Sequence, residues 1–495
     1  MSSFPPPLSR RRFCTLLGAL PGVALPGVAL PGVALPGASL AARDTPRGTL
    51  PAAVADALRR AGIAESSCSF IVQPLHAPQP TLRLHGATAR DPASVLKLVP
   101  TFVALNQLGP AFRWHTPVYA IGVLRDGVLS GDLGFVGSGD PHLMAQDLWH
   151  LALRLRQLGL RRIDGNVLID RSAFALGRHD PGAFDGDALA AYNVGPNAFL
   201  VNFGAMRLDF QATPSGGVDV LLDPPLAGFA PQRLPRAVPG PCGAWKDALR
   251  ADFAAPLAPR FDGRFATDCG AQIWNIGAPM PADRYLRALF GALFAEVGIA
   301  WSGDVVDGTL PQGATLLTSW ASQPLAVIVR DINKYSNNVM AQQLFLTLAL
   351  QAGQAPADFA KAAAVTRQWL AEHQLSMPGL VLDNGCGLSR RARIRADDVN
   401  RLLRAAWMGP VMPEFVASLP LAGEDGTLRR RFFRRPQTGL VRAKTGTLDG
   451  VLALAGYVQT GSGAHSTVVA LIDDPRAADG WAAIDALLDV VLGLA

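Results

Sequence analysis

Apolar residues run from Val95 to Leu105 with only Lys97, Pro100 and Thr101 breaking the series. A segment apolar on nearly all sides reads as a buried helix. Asp91 and Pro92, just ahead of it, suit a helix cap and a first helical position. Pro100 inside it predicts a kink. Before this segment, residues 51–61 read as a short helix, and Cys68–Val72 and Thr81–Leu84 as two strands joined by a proline-containing turn. From about 111 to 300 the pattern changes to short strand-like segments between Gly, Pro and Asp turns. They are Val118–Leu124, Leu133–Val136, Asn166–Ile169, Leu200–Phe203 and Val218–Leu222, with one amphipathic helix over 143–159. Residues 223–240, rich in Pro and Ala, read as a surface excursion.

Helical sequence returns at Tyr285–Val297, 323–331, 338–352 and Ala362–Leu370. Three strands follow, at Leu440–Ala443, Val451–Val458 and Ser466–Ile472, joined by linkers of hairpin chemistry. Trp481–Leu492 closes the chain as an apolar helix. The order predicts an α+β fold in which both ends of the chain share an antiparallel sheet flanked by helices. The expected organisation is an export signal over 1–42, a first part of the sheet domain over 43–110, inserted mostly β domain(s) over 111–300 and the second part over 301–495.

The 495 residues are 49% hydrophobic and 17% charged, which excludes a largely disordered chain. The net charge is +6, but residues 1–42 hold Arg10, Arg11 and Arg12 and no acid, so the remainder carries +3. That excess, with no basic block interleaved with aromatics, gives no support for nucleic-acid binding. The arginines precede an apolar run, the pattern of a twin-arginine or general secretory signal. Pro-Gly-Val-Ala-Leu repeats follow at 21–25, 26–30 and 31–35, with a variant at 36–40. So much Pro and Gly disfavours a stable membrane-spanning helix. Ser39-Leu40-Ala41 offers small residues for cleavage before Ala42; an uncleaved anchor is the alternative. Cys14 falls in the signal, leaving Cys68, Cys242, Cys269 and Cys386. Cys242 and Cys269 lie closest in sequence and are the expected disulfide of an exported chain. Metal-site cysteine spacing is absent from the sequence.

Candidate chemistry starts at Ser94 and Lys97. Three residues apart on a helix, their side chains share a face. A lysine that loses its charge through burial can take the serine proton, making Ser94 a nucleophile and Lys97 its base. A serine and lysine at this spacing are common on solvated helix surfaces, so two further elements matter. One is Tyr335-Ser336-Asn337-Asn338, in a helical neighbourhood; the other is Lys444-Thr445-Gly446-Thr447, at the end of a strand. Ser-x-x-Lys, Ser-x-Asn and Lys-Thr-Gly, in that order, form the motif set of penicillin-binding proteins and serine β-lactamases. Lysine is scarce here: Lys97, Lys246, Lys334, Lys361 and Lys444 are the whole set. Two of the five fall where these motifs require one, and arginine cannot replace them as a base. Ordinary roles compete at each position. Ser336 and Asn338 could cap the next helix, Lys444 could be a strand-end lysine, and Thr445 and Thr447 could serve β propensity alone. A Tyr335-x-Asn337 register competes with Ser336-x-Asn338.

Pro92-Ala93-Ser94-x-x-Lys97, Leu108-Gly109-Pro110, Gly131-Asp132-Leu133, Gly137-Ser138-Gly139-Asp140-Pro141, Tyr335-Ser336-Asn337-Asn338 and Gly387-Leu388-Ser389-Arg390 carry a closer likeness. From about residue 50 onward the chain resembles the D-alanyl-D-alanine carboxypeptidase/endopeptidases of the penicillin-binding-protein-4 type, peptidase family S13. Roughly 240 residues separate Lys97 from Ser336, far more than a compact fold needs, and the family carries extra domains there.

The resemblance implies a penicillin-binding-protein/serine β-lactamase-like domain. It implies a periplasmic serine D,D-carboxypeptidase, with D,D-endopeptidase action on cross-links as a second activity. Its substrates would be peptidoglycan stem peptides ending in D-Ala-D-Ala, and β-lactams would be covalent inhibitors. No cofactor or metal is called for, and nothing in the pattern sets an oligomeric state. Ser94 would form the acyl-enzyme and Lys97 would take its proton, kept neutral by burial and by the charge of Lys444. Ser336 would relay the proton, and Asn338 would hold Lys97 and the substrate amide. Lys444 and Thr445 would bind the terminal carboxylate, Gly446 would admit the substrate strand, and the N–H groups of Ser94 and Thr447 would form the oxyanion hole.

Two positions depart from the family pattern. Val95 replaces a threonine, and Cys386 stands where serine is usual, either as an inert buried thiol or a redox-sensitive one. A β-lactamase or esterase on the same serine is the first rival, but no Glu-x-x-x-Asn element for deacylation occurs. A silent wall-binding protein is the second, and it has no need of six intact catalytic-type side chains.

Overall fold

The computed structural model describes residues 49–493; the expected export segment over 1–42 lies outside the described residues. Five strands form the central sheet: β1 (Cys68–Pro74), β2 (Leu82–Leu84), β3 (Val441–Leu448), β4 (Val451–Gln459) and β5 (His465–Asp473). They lie in the order β3-β4-β5-β1-β2, antiparallel throughout. The start of the chain therefore pairs with its end, Cys68 opposite Ile472 and Pro74 opposite Ser466.

Both faces of this sheet are covered. Side chains alternate along a strand, and β1, β4 and β5 are buried at nearly every position, as coverage of both faces demands. Phe70, Leu452, Leu454, Val468 and Ile472 meet α1 (Ala52–Ala61) and the closing helix, Trp481–Leu492, on one face. Ile71, Ala453, Ala455, Tyr457, Val469 and Leu471 meet a helical layer on the other. That layer contains α2 (Leu98–Leu108), α3 (Leu325–Tyr335), α4 (Asn338–Gln351) and α5 (Ala396–Met408). The fold is α+β, as the pattern predicts.

The chain between α2 and α3 has a core of its own, built from Leu133, Phe135, Phe199, Phe210, Phe290, Phe294 and their neighbours between Val118 and Val305. It holds a seven-stranded sheet, two three-stranded sheets, and helices Ala145–Gln157 and Ala282–Val297. The strand Thr315–Ala321 pairs antiparallel with His115–Arg125, so the larger sheet draws on chain beyond residue 300.

Three expectations change on inspection. Ser94 and Lys97 lie on a 3-10 turn, Ala93–Lys97, that runs into α2. Pro100 then falls in the first turn of α2, where its missing N–H has no intrahelical role, and it does not kink the helix. Leu200–Phe203 forms no strand. Asn202, Phe203 and Gly204 all take positive φ, a run of left-handed backbone that ends any extended segment. The 223–240 stretch lies mostly at the surface, as expected, though it contains a short strand, Arg236–Val238, and buries Leu226 in the second core.

Cys242 and Cys269 are bonded to each other, and Cys68 and Cys386 are free and buried. Among the described residues no helix is long and apolar enough to cross a membrane. The bridge closes a loop with a sequence separation of 27. Such a loop constrains the unfolded chain by about 3.5 kcal/mol. The double variant Cys242→Ser/Cys269→Ser is expected to unfold at a lower temperature by calorimetry, with the loss confined to the transition of the second core.

Candidate active site

The turn that carries Ser94 is fixed from three sides. Asp91 accepts a hydrogen bond from the Ala93 N–H at 2.9 Å through its carboxylate. Ala93 is fully buried with φ at 43°, a backbone state that costs an ordinary residue about 1–3 kcal/mol. Two glycines press on it. A Cβ on Gly387 would lie 1.9 Å from the Ala93 carbonyl oxygen. One on Gly446 would lie 2.6 Å from the Pro92 carbonyl and 3.0 Å from the Ser94 nitrogen. Gly446 therefore lets β3 lie against the serine turn.

Lys97 is completely buried. Its Nζ lies 2.8 Å from Ser94 Oγ, 2.7 Å from Asn338 Oδ1 and 2.6 Å from the Cys386 carbonyl oxygen. Burial lowers its pKa from 10.5 to about 8. A neutral amine has two N–H groups and one lone pair. Asn338 Oδ1 and the Cys386 carbonyl can only accept, so they take the two N–H groups. The lone pair then faces the one partner with a proton to give, the Ser94 hydroxyl.

Asn338 begins α4, and its amide N–H donates to the Tyr192 carbonyl at 3.0 Å. The cap of that helix is Asn337, whose side chain accepts from the Met340 N–H. Neither Ser336 nor Asn338 caps it. Ser336 instead ends α3 in the left-handed conformation, φ 58°, which sharply separates two helices that follow each other in sequence.

A second cluster forms around Lys444 on β3. Its buried Nζ donates to Ser336 Oγ at 2.9 Å and to the Thr445 carbonyl at 2.7 Å. Burial, and then the charge of Lys97, push its pKa well below 10.5. Like charges repel mutually, so the pair holds one proton more readily than two. Thr445 Oγ1 donates to Thr427 Oγ1 at 2.8 Å. Thr427 follows Asp425 and Gly426 in a turn held by the Lys334–Asp425 ion pair, with oxygens at 2.8 and 2.6 Å. Thr447 is exposed at the end of β3.

Ser94, Lys97 and Asn338 thus share one set of contacts, and Ser336, Lys444 and Thr445 another. The Gly446 contact and the adjoining Ser336–Asn338 segment join the two. Two participants left no trace in the sequence. The Cys386 carbonyl is a backbone group, presented by a loop in which Asn384 Oδ1 accepts from the Cys386 and Gly387 N–H groups at 3.1 and 3.2 Å. Thr427 is one threonine among many. The Cys386 thiol is fully buried, and burial raises its pKa, which keeps it protonated. That is the inert alternative rather than the redox-sensitive one.

Beside Ser336 lies a cleft of about 380 Å³, lined by Ser336, Asn338, Tyr192, Asn202, Asn275 and Arg207 among others. Among the described residues no cluster of His, Cys, Asp or Glu could hold a metal ion.

The chain is similar to known D-alanyl-D-alanine carboxypeptidases. The chain is 32% identical over 389 residues to a D-alanyl-D-alanine carboxypeptidase of Actinomadura sp., covering 74% of this chain and 70% of that protein. It is 25% identical over 416 residues to the D-alanyl-D-alanine carboxypeptidase DacB of Haemophilus influenzae, covering 82% and 85%. The crystal structure of penicillin binding protein 4 (dacB) from Haemophilus influenzae superposes with a TM-score of 0.71 at 23% identity. That match covers 88% of this chain and 99% of the other, so the two share a fold. The sequence profile of the D-Ala-D-Ala carboxypeptidase 3 (S13) family matches residues 50–491, and the chain belongs to that family.

Proposed function

We propose that Ser94 is the nucleophile of a serine-type D-Ala-D-Ala carboxypeptidase and Lys97 its general base. The observation that carries this is the fully buried Lys97 amine, its two acceptors placed so that its lone pair meets the Ser94 hydroxyl 2.8 Å away. In this reading Ser94 Oγ attacks the carbonyl between two D-alanines while its proton passes to Lys97. Ser336, bonded to Lys444, returns a proton to the leaving amine. Lys444 and Thr445 receive the terminal carboxylate. Burial and Lys97 drive Lys444 toward neutrality in the free enzyme; an arriving carboxylate reverses that by pairing with its charged form. The N–H groups of Ser94 and Thr447 stabilise the oxyanion, and Gly446 keeps β3 close enough to do so. Water then releases the acyl group.

Stem peptides ending in D-Ala-D-Ala are the proposed substrates and β-lactams the covalent inhibitors. The cleft beside Ser336 supports a second substrate, the cross-linked peptide, whose larger leaving group needs room at that end. The site of action proposed is the periplasm, supported by the Arg10–Arg12 signal pattern and by the bonded Cys242–Cys269 pair. The second core is proposed as the inserted domain of the expected division.

The test is to follow D-alanine release and dimer cleavage with purified stem peptides, alongside labelling by a fluorescent penicillin. Slow deacylation with D-alanine release is expected; rapid penicillin turnover without D-alanine release marks a β-lactamase instead. Ser94→Ala is expected to lose both labelling and release, and surviving label places the nucleophile elsewhere. Lys97→Arg keeps the charge but removes the base, and its acylation is expected to slow by about 10²–10⁴-fold.

A pH profile tests the base separately. Only the neutral amine accepts the proton, so acylation by penicillin is expected to rise with pH and level off, with a midpoint at about 8. A rate that falls across that range contradicts a neutral Lys97.

Stability should carry the mark of the second lysine. The folded state holds Lys444 well below the 10.5 of the unfolded chain. The unfolded chain then binds the proton first as pH falls, so Lys444 costs the fold progressively more below that value. Measured by Tm, the parent is expected to lose stability relative to Lys444→Met as pH is lowered from about 10.5, and a constant gap would contradict the shift.

A further inference from the structure

Asn338 has a choice of orientation that the site must settle. An asparagine side chain offers one accepting oxygen and one donating NH₂ of nearly the same shape. The Lys97 amine can meet either end: its N–H groups need an acceptor, and its lone pair could take a donor. If the NH₂ faced Lys97 it would compete with Ser94 for that lone pair. The Tyr192 carbonyl can only accept. Its 3.0 Å contact with Asn338 Nδ2 therefore fixes the amide, and turns Oδ1 toward Lys97 at 2.7 Å.

Tyr192 belongs to the long segment between α2 and α3, outside every motif that names the site. Its carbonyl is placed by side chains of that segment. Tyr192 lies in a single 3-10 turn, Ala191–Asn193. Its hydroxyl donates to Asp185 Oδ2 at 2.8 Å. The other Asp185 oxygen accepts from Asn193 Nδ2 at 2.7 Å, so one carboxylate grips both neighbours. Asn193 is buried, and its Nδ2 also reaches the Asp187 carbonyl at 2.9 Å. His179 Nε2 bonds the Asn193 carbonyl at 2.6 Å.

We propose that Asp185 and Asn193 are positioning residues for the acylation step, acting through the Tyr192 carbonyl on the orientation of Asn338. The proposal rests on the reading of Lys97 as the base. It gives the inserted segment a part in the chemistry: it supplies the hydrogen-bond acceptor that keeps the Lys97 lone pair free for Ser94. Neither residue is hydrogen-bonded to Ser94, Lys97 or Asn338 itself.

A double-mutant cycle tests it in the full-length protein, with the second-order rate of acylation by penicillin as the readout. Asp185→Ala is expected to slow acylation about 10-fold in the parent and less than about 2-fold in an Asn338→Ala background. Asp185→Asn, which keeps one accepting oxygen, is expected to recover part of the rate. Tyr192→Phe removes only a hydroxyl from a half-exposed side chain, so it keeps the fold and is expected to slow acylation in the same direction. A parent-like rate in both Asp185→Ala and Tyr192→Phe overturns the proposal. So does an equal loss in the two backgrounds, because the effect then bypasses Asn338. Should Asn338→Ala itself acylate at the parent rate, the reading of Lys97 and its partners falls first and takes this inference with it.

Discussion

Two lysine amines are held out of water in one site, and much of the surrounding structure follows from that. Burying an ammonium costs several kcal/mol unless it is paired and hydrogen-bonded. No carboxylate approaches either group here within hydrogen-bonding distance among the described contacts. Lys97 is met only by neutral oxygens, drawn from Ser94, from the start of α4 and from the Cys386 loop. Such an environment solvates an amine well and an ammonium poorly. A nearby carboxylate would have favoured the charged ammonium and left no lone pair to take the serine proton.

Convergence of distant segments demands close backbone contact, and glycine supplies it at two places. Gly387 abuts the Ala93 carbonyl, and Gly446 abuts Pro92 and Ser94. Any side chain at either position would push the Cys386 loop or β3 away from the serine turn. Ala93 shows the other half of the arrangement: its left-handed backbone is retained under full burial. Strain of this kind persists only where neighbours over-determine the conformation.

Much of this was legible in the sequence. The buried helix after Ser94, the three C-terminal strands and the helices around residues 325–351 follow from apolar periodicity alone. The fold class followed from their order. Ser94, Lys97 and Lys444 were found because lysine is rare in the chain, so two of its five positions in motif places were informative. The helix break at Ser336 was not legible, since nothing in Lys334-Tyr335-Ser336-Asn337 forces a left-handed residue. The strand expected at Leu200–Phe203 failed for the same reason: local apolar character does not report the sign of φ. The carbonyls of Cys386 and Tyr192 were out of reach in principle. A backbone oxygen is present at every residue, and only tertiary structure selects which one matters.

The strand order has a consequence for how the molecule comes to exist. β1 cannot find its inner neighbour until β5, nearly four hundred residues later, has been made. Contacts of such long range carry a heavy loop-closure entropy and form slowly. The core between Val118 and Val305 needs no residue from either end and is free to condense earlier. Loop-closure entropy thus favours condensation of the middle before the central sheet closes, and the candidate site, which needs β3 against the serine turn, is complete only once that sheet is.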